Sequence, residues 1–182
     1  FDGHDAAIGI IRRLLVQLGA EVIHLGHNRS VQEIVTAAIA EDADAIACSS
    51  YQGGHNEFFQ FMVDELRRLG AGHIRVMGGG GGVIIPEEIA ALHAYGVEQL
   101  YSPQDGMRLG LEGMVADMIA RASQRPAREV NPENMPPSTD GTLAAAITHA
   151  ELNPNATPTS NTSPTPVLGI TGTGGAGKSS LT

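Results

Sequence analysis

Ile74-Arg75-Val76-Met77-Gly78-Gly79-Gly80-Gly81-Gly82-Val83-Ile84-Ile85-Pro86 is the stretch that decides the fold. It opens with a short apolar run, the pattern of a buried strand from Ile74 to Met77. Five glycines follow at once, Gly78 to Gly82. Pro86 then suits the first turn of a helix reaching about Ala94. Ordering five consecutive glycines costs much conformational entropy. Such a run is either a flexible loop or a side-chain-free backbone against which a large flat ligand lies, and the second reading is preferred.

Outward from this unit the chain alternates helix and strand. Towards the N-terminus, Asn56 to Leu69 is an amphipathic helix stopped by Gly70, and Ala45 to Ser49 is an apolar strand. Ser30-Val31-Gln32-Glu33 is a capping box opening a helix to about Glu41. Glu21 to His24 is a short strand candidate, and Ala6 to Leu18 has helical periodicity ending at Gly19. Towards the C-terminus, Gln99 to Tyr101 is a short strand, and Asp105 is expected to cap a helix from Met107 to Arg121. Alternation of this kind implies an α/β fold, a doubly wound parallel sheet with helices on both faces. A strand ending at Phe1 would complete a five-stranded, flavodoxin-like (Rossmann-like) sheet. Ligands of such sheets bind beyond the carboxyl ends of the strands. The loops there are Asp2–Asp5, Ser49–His55 and Gly78–Ile85, which are the ones of unusual composition.

The 182 residues suffice for one ordinary domain and an extension. A 42% hydrophobic content fits a globular core, and with aromatics at 4% and no Trp that core must be aliphatic. A net charge of −9 argues against broad contact with nucleic acid or anionic lipid. No apolar stretch approaches the ~20 residues of a membrane span. The single cysteine, Cys48, excludes an internal disulfide and suits a reducing, cytoplasmic setting; within its strand it reads as a buried, inert thiol.

Composition changes after Arg121. Residues 1–121 therefore read as one domain, and 122–166 as a Pro/Ser/Thr-rich linker broken by a helical island from Leu143 to Glu151. Residues 167–182 begin a further domain. There the strand Val167–Thr171 leads into Gly172-Thr173-Gly174-Gly175-Ala176-Gly177-Lys178-Ser179-Ser180, a G-x-x-x-x-G-K-S phosphate loop. The backbone of Gly172, Gly174, Gly175, Ala176 and Gly177 would cradle phosphates, with Ser180 opening the following helix. Lys178 would reach the outer phosphates, and the Ser179 hydroxyl would ligate Mg²⁺. The helix is barely begun at Thr182, so the chain reads as a fragment that is not expected to hold nucleotide well.

Two further loops carry chemistry. In Asp2-Gly3-His4-Asp5 a neutral imidazole can ligate a transition metal while a neighbouring carboxylate bonds its other nitrogen. Taken alone, that triplet is more often a solvated loop histidine. In Ser49-Ser50-Tyr51-Gln52-Gly53-Gly54-His55 the hydroxyls offer hydrogen bonds and the paired glycines allow close approach to backbone. An ordinary turn into a helix explains it equally well.

Together the three loops resemble the mutase-type cobalamin-binding domain. Its D-x-H-x-x-G, S-x-L and G-G signatures match Asp2, His4, Ser49 and Gly78–Gly82, in order, and the resemblance covers about Phe1 to Arg121. Two positions depart from it: Ala7 replaces the glycine of the first signature, and Tyr51 the leucine of the second. The resemblance implies a site made by Asp2, Gly3, His4, Asp5, Ser49, Tyr51, Gly53, Gly54, Gly78, Gly79, Gly80, Gly81 and Gly82. In it His4 takes the lower face of the cobalt, with the cofactor's own base displaced. Asp2 orients His4, Ser49 bonds the displaced base, and the glycine loops bury the nucleotide tail.

A cobalamin domain followed by a phosphate loop is similar to the GTPase-fused acyl-CoA mutases of the isobutyryl-CoA subgroup. That implies adenosylcobalamin, a radical rearrangement between isobutyryl-CoA and n-butyryl-CoA, and GTP with Mg²⁺ in the intact parent only. The acyl-CoA-binding barrel and the GTPase domain would be partners within one homo-oligomeric parent chain, and no catalytic residue is expected within this piece. Two other cobalamin proteins share Asp2, His4 and Ser49: a methylmalonyl-CoA mutase-type subunit and a corrinoid methyl carrier. The phosphate loop weighs against the carrier. A receiver domain needs a cluster of acids that Asp2 and Asp5 only partly mimic.

Overall fold

A computed structural model describes residues 5–51, 53–124 and 140–153. The helices are α1 (Asp5–Gln17), α2 (Val31–Ala40), α3 (His55–Arg68), α4 (Pro86–Tyr95), α5 (Pro103–Ala122) and α6 (Asp140–Leu152). The strands are β1 (Ala45–Ser49), β2 (Arg75–Gly79) and β3 (Gln99–Tyr101). Among the described residues they form one parallel sheet in the order β1-β2-β3, with Ala45 opposite Arg75 and Met77 opposite Gln99. The expected α/β class and parallel pairing are therefore present.

Successive strand residues face opposite sides, so each strand feeds two layers. Ile46, Val76 and Leu100 join Val35 of α2, Phe59, Met62 and Leu66 of α3, and Leu92 of α4 in the larger core. Their neighbours Met77 and Tyr101 turn the other way and pack with Met118 of α5. The second layer is pinned by polar contacts as well. The Tyr101 hydroxyl donates to Asp117 Oδ2 at 2.7 Å, and Arg121 Nε donates to the same oxygen at 2.8 Å.

Local capping follows the sequence closely at α2. Ser30 Oγ accepts from the Glu33 N–H at 3.2 Å, and Glu33 Oε2 accepts from the Ser30 N–H at 2.9 Å. At α5 the expected cap moves. Asp105 is the third helical residue and Ser102 is the cap, its hydroxyl accepting from the Asp105 N–H at 3.2 Å. Ser102-Pro103-Gln104-Asp105 is itself a capping box with proline at the first helical position, so the helix starts earlier than its apolar periodicity suggests. The predicted island Leu143–Glu151 lies within α6, which packs on α2.

One predicted element is absent. Glu21–His24 forms no strand. In a doubly wound sheet of order 2-1-3-4-5 the second strand bonds only to the first. That first strand would end at Phe1, outside the described residues, so among the described residues Glu21–His24 has no neighbour with which to form a ladder. A cavity of about 650 Å³ lies beside β1, lined by Ile11, Leu15, Ile23, Leu25, Ala47 and Met118. Adjacent strands sit about 4.8 Å apart, and this space adjoins the outer edge of β1.

His93 of α4 reports on β3. Its Nε2 accepts from the buried Leu100 N–H at 3.1 Å, which requires that nitrogen unprotonated. Burial first, then the Arg121 charge, hold the imidazole below its ordinary 6.5. A pKa lowered by folding means the histidine's contribution is whole above pH ~6.5 and shrinks as pH falls below it. His93→Ala is expected to cost about 1–2 kcal/mol at pH 7.5 by orphaning that N–H. Denaturant midpoints should also fall less between pH 7.5 and 5.5 in the variant than in wild type. An equal fall would refute the assignment.

Candidate functional site at the carboxyl ends of β1 and β2

The Ser49–Gly54 and Gly78–Ile85 loops leave adjacent parallel strands at the same end, so the sheet itself places them side by side. The Ser50 N–H donates to the Gly79 carbonyl at 2.8 Å, carrying the pairing of β1 with β2 into the loops. Ser50 is wholly buried. Tyr51 is 37% exposed, and its ring lies over Gly81. Gly54, with φ 86°, caps α3 in the left-handed region, where a side chain would be strained.

The five glycines do different work. A Cβ at Gly78 would stand 2.5 Å from the Cys48 carbonyl and 2.7 Å from the Phe59 ring. At Gly80 it would stand 2.1 Å from the Ser50 carbonyl, and at Gly79 3.1 Å from that of Tyr101. Gly81 has φ 57° and meets the Tyr51 ring at 2.8 Å. These four have reasons internal to the fold, a third explanation beside a flexible loop and a ligand-facing backbone. A Cβ at Gly82, Gly53 or Gly54 would meet nothing within 4 Å. Those three, with the exposed Val83 and Ile85, form the open surface of the two loops.

Three polar residues link the loops and were not among the residues singled out as the site. Glu88, at the third position of α4, accepts at Oε2 from the Ile85 N–H at 3.1 Å and from His55 Nε2 at 3.0 Å. Its Oε1 accepts from Asn56 Nδ2 at 3.0 Å. The Ile85 N–H first, then His55, hold the Glu88 carboxyl below the usual carboxylate range. An acid at the third helical position after Pro86 was the available signal for Glu88; its reach across to α3 was not visible along the chain. Cys48, expected to be buried, is half-buried and lines the cavity beside β1, and desolvation pushes its thiol up to about 12.

Asp2, Gly3 and His4 lie outside the described residues, as do the expected phosphate loop and most of the expected linker; Asp5 opens α1. Among the described residues no group of three or more His, Cys, Asp or Glu could hold a metal ion by itself. No helix there is long and apolar enough to cross a membrane. What the described loops offer is open backbone and apolar surface, which suits the tail of a large organic cofactor more than a bare ion.

A doubly wound α/β domain with glycine-rich loops at its strand ends defines a cofactor- or ligand-binding class. The particular family follows from comparison: the B12 binding domain family matches residues 1–100, and the chain belongs to it. Over its whole length the chain is 51% identical to the fused isobutyryl-CoA mutase of Cupriavidus metallidurans, of which it covers 18%. It is 67% identical over 68% of its length to the fused isobutyryl-CoA mutase of Paraburkholderia xenovorans, covering 10% of that protein. It is 34% identical to the 2-hydroxyisobutanoyl-CoA mutase small subunit of Aquincola tertiaricarbonis, matching 66% of this chain and 89% of that subunit. The chain thus spans less than a fifth of the fused mutases it matches.

Proposed function

We propose that this chain is the cofactor-holding part of an acyl-CoA mutase that interconverts isobutyryl-CoA and n-butyryl-CoA, and that it binds adenosylcobalamin with His4 beneath the cobalt. The observation that carries the reading is the pairing of the two glycine loops at one end of the sheet, with the faces of Gly53, Gly54 and Gly82 left open. Names among the relatives support the substrate class. Held there, adenosylcobalamin would supply the radical chemistry of the rearrangement.

The residues of this chain bind and shield. Asp2 bonds the free nitrogen of His4, fixing its tautomer and raising its basicity. The Ser49 hydroxyl bonds the displaced base. Backbone at Gly53, Gly54 and Gly82 admits the nucleotide tail, and Tyr51, Val83 and Ile85 cover it from water. Tyr51, where the family's signature has leucine, lies against Gly81, which accommodates the bulkier ring without closing the surface at Gly82. Gly172–Ser180 begin the GTPase domain of the parent, where Lys178 and Ser179 hold GTP and Mg²⁺. The substrate-binding barrel and that domain are its partners in one chain.

The test uses the full-length polypeptide, loaded with adenosylcobalamin and offered isobutyryl-CoA, 2-hydroxyisobutanoyl-CoA and methylmalonyl-CoA. Turnover highest with isobutyryl-CoA is expected. A preference for either other thioester would overturn the substrate, and absence of a cobalamin spectral change would overturn the cofactor.

A further inference from the structure

Glu88 is the one side chain through which the starts of α3 and α4 are joined by the hydrogen bonds described above. Each helix is entered from one of the two candidate tail loops: α3 from Ser49–Gly54, α4 from Gly78–Ile85. A single carboxylate therefore braces the two loops at their helix ends, beyond the Ser50–Gly79 bond that pairs them at their strand ends. His55, one of its two α3 partners, is buried, and its Nδ1 has no partner among the described residues. Glu88 is thus the ring's hydrogen-bonding anchor, and losing it would leave both nitrogens of a buried imidazole without a partner among the described residues. The Ile85 N–H would lose its acceptor at the same time.

The structure assigns Glu88 as a positioning residue that holds the two glycine loops at the separation needed to admit the nucleotide tail of the cofactor. The assignment rests on the cobalamin reading above. Glu88 need not touch the ligand: it acts through His55, Asn56 and the Ile85 N–H. The expected signature is selective. Removing the carboxylate should weaken recognition of the tail and leave the corrin ring, reached from His4, almost unaffected.

The experiment compares adenosylcobalamin with adenosylcobinamide, which lacks the nucleotide tail, on the full-length protein carrying wild-type Glu88, Glu88→Ala or Glu88→Gln. Glu88→Ala is expected to weaken cobalamin binding on the order of tenfold, about what one lost hydrogen bond to a charged group costs, with cobinamide binding unchanged. Glu88→Gln should recover most of that loss, because its amide oxygen can accept from Ile85 and His55 while Asn56 flips to accept from its amide group. Equal weakening for both ligands, or no weakening, would overturn the positioning role while leaving the cofactor reading intact. If wild type bound neither ligand, both would fall. Urea midpoints of the three proteins, measured without ligand, separate a general loss of fold from loss of the tail site.

Discussion

Replacing His4, the proposed cobalt ligand, with alanine is expected to weaken adenosylcobalamin binding on the order of a hundredfold. Outer-shell partners of metal ligands already contribute about 10–100-fold, and the ligand itself should contribute no less. The visible spectrum gives the cleaner readout. Wild type should show the cofactor with its own base displaced and an imidazole in its place, whereas the variant should show the base displaced and no imidazole bound. Asp2→Asn should have a smaller effect in the same direction, since it removes only the bond that orients the ring. An unchanged spectrum in His4→Ala would refute the ligand assignment, and another histidine would have to be sought.

The second large effect separates two glycines that stand two residues apart. Gly80→Ala places a methyl group 2.1 Å from the Ser50 carbonyl oxygen and 2.9 Å from Ile84. Neither neighbour can yield easily: Ser50 is tied to Gly79 through its N–H, and Ile84 is buried. Overpacking against backbone in this way should cost about 3 kcal/mol or more in urea denaturation. Gly82→Ala meets nothing within 4 Å and should change stability by less than about 0.5 kcal/mol. If the nucleotide tail lies on Gly82, that silent variant should still weaken cobalamin binding. Equal stability losses at both positions would show that the loop is packed differently from the arrangement described.

Much of the architecture was legible along the chain. Ala45–Ser49 and Gln99–Tyr101 fall on the residues their apolar runs mark, and the Ser30 box opens α2 as its spacing requires. Those features are local: a cap, a run of buried residues or a terminating glycine acts within one turn or one strand. Glu21–His24 failed for the opposite reason, because a strand exists only when a neighbour supplies its hydrogen bonds. The glycine run was half legible. Its composition marked a special loop, but the lack of room for a methyl group between Gly80 and Ser50 depends on how closely β1 and β2 approach.

By itself the sequence determined the class of fold and carried Asp2, His4 and Ser49, the residues through which it resembles its family. Alternating periodicity and the strand-to-helix order settle the fold class before any contact is formed. Only the tertiary structure decided which glycines serve packing and which stay open, and that Glu88 reaches His55 and Asn56, more than thirty residues away in the chain. Distances between segments remote in sequence arise when apolar faces are buried against one another. No local pattern encodes how far one carboxylate will then reach.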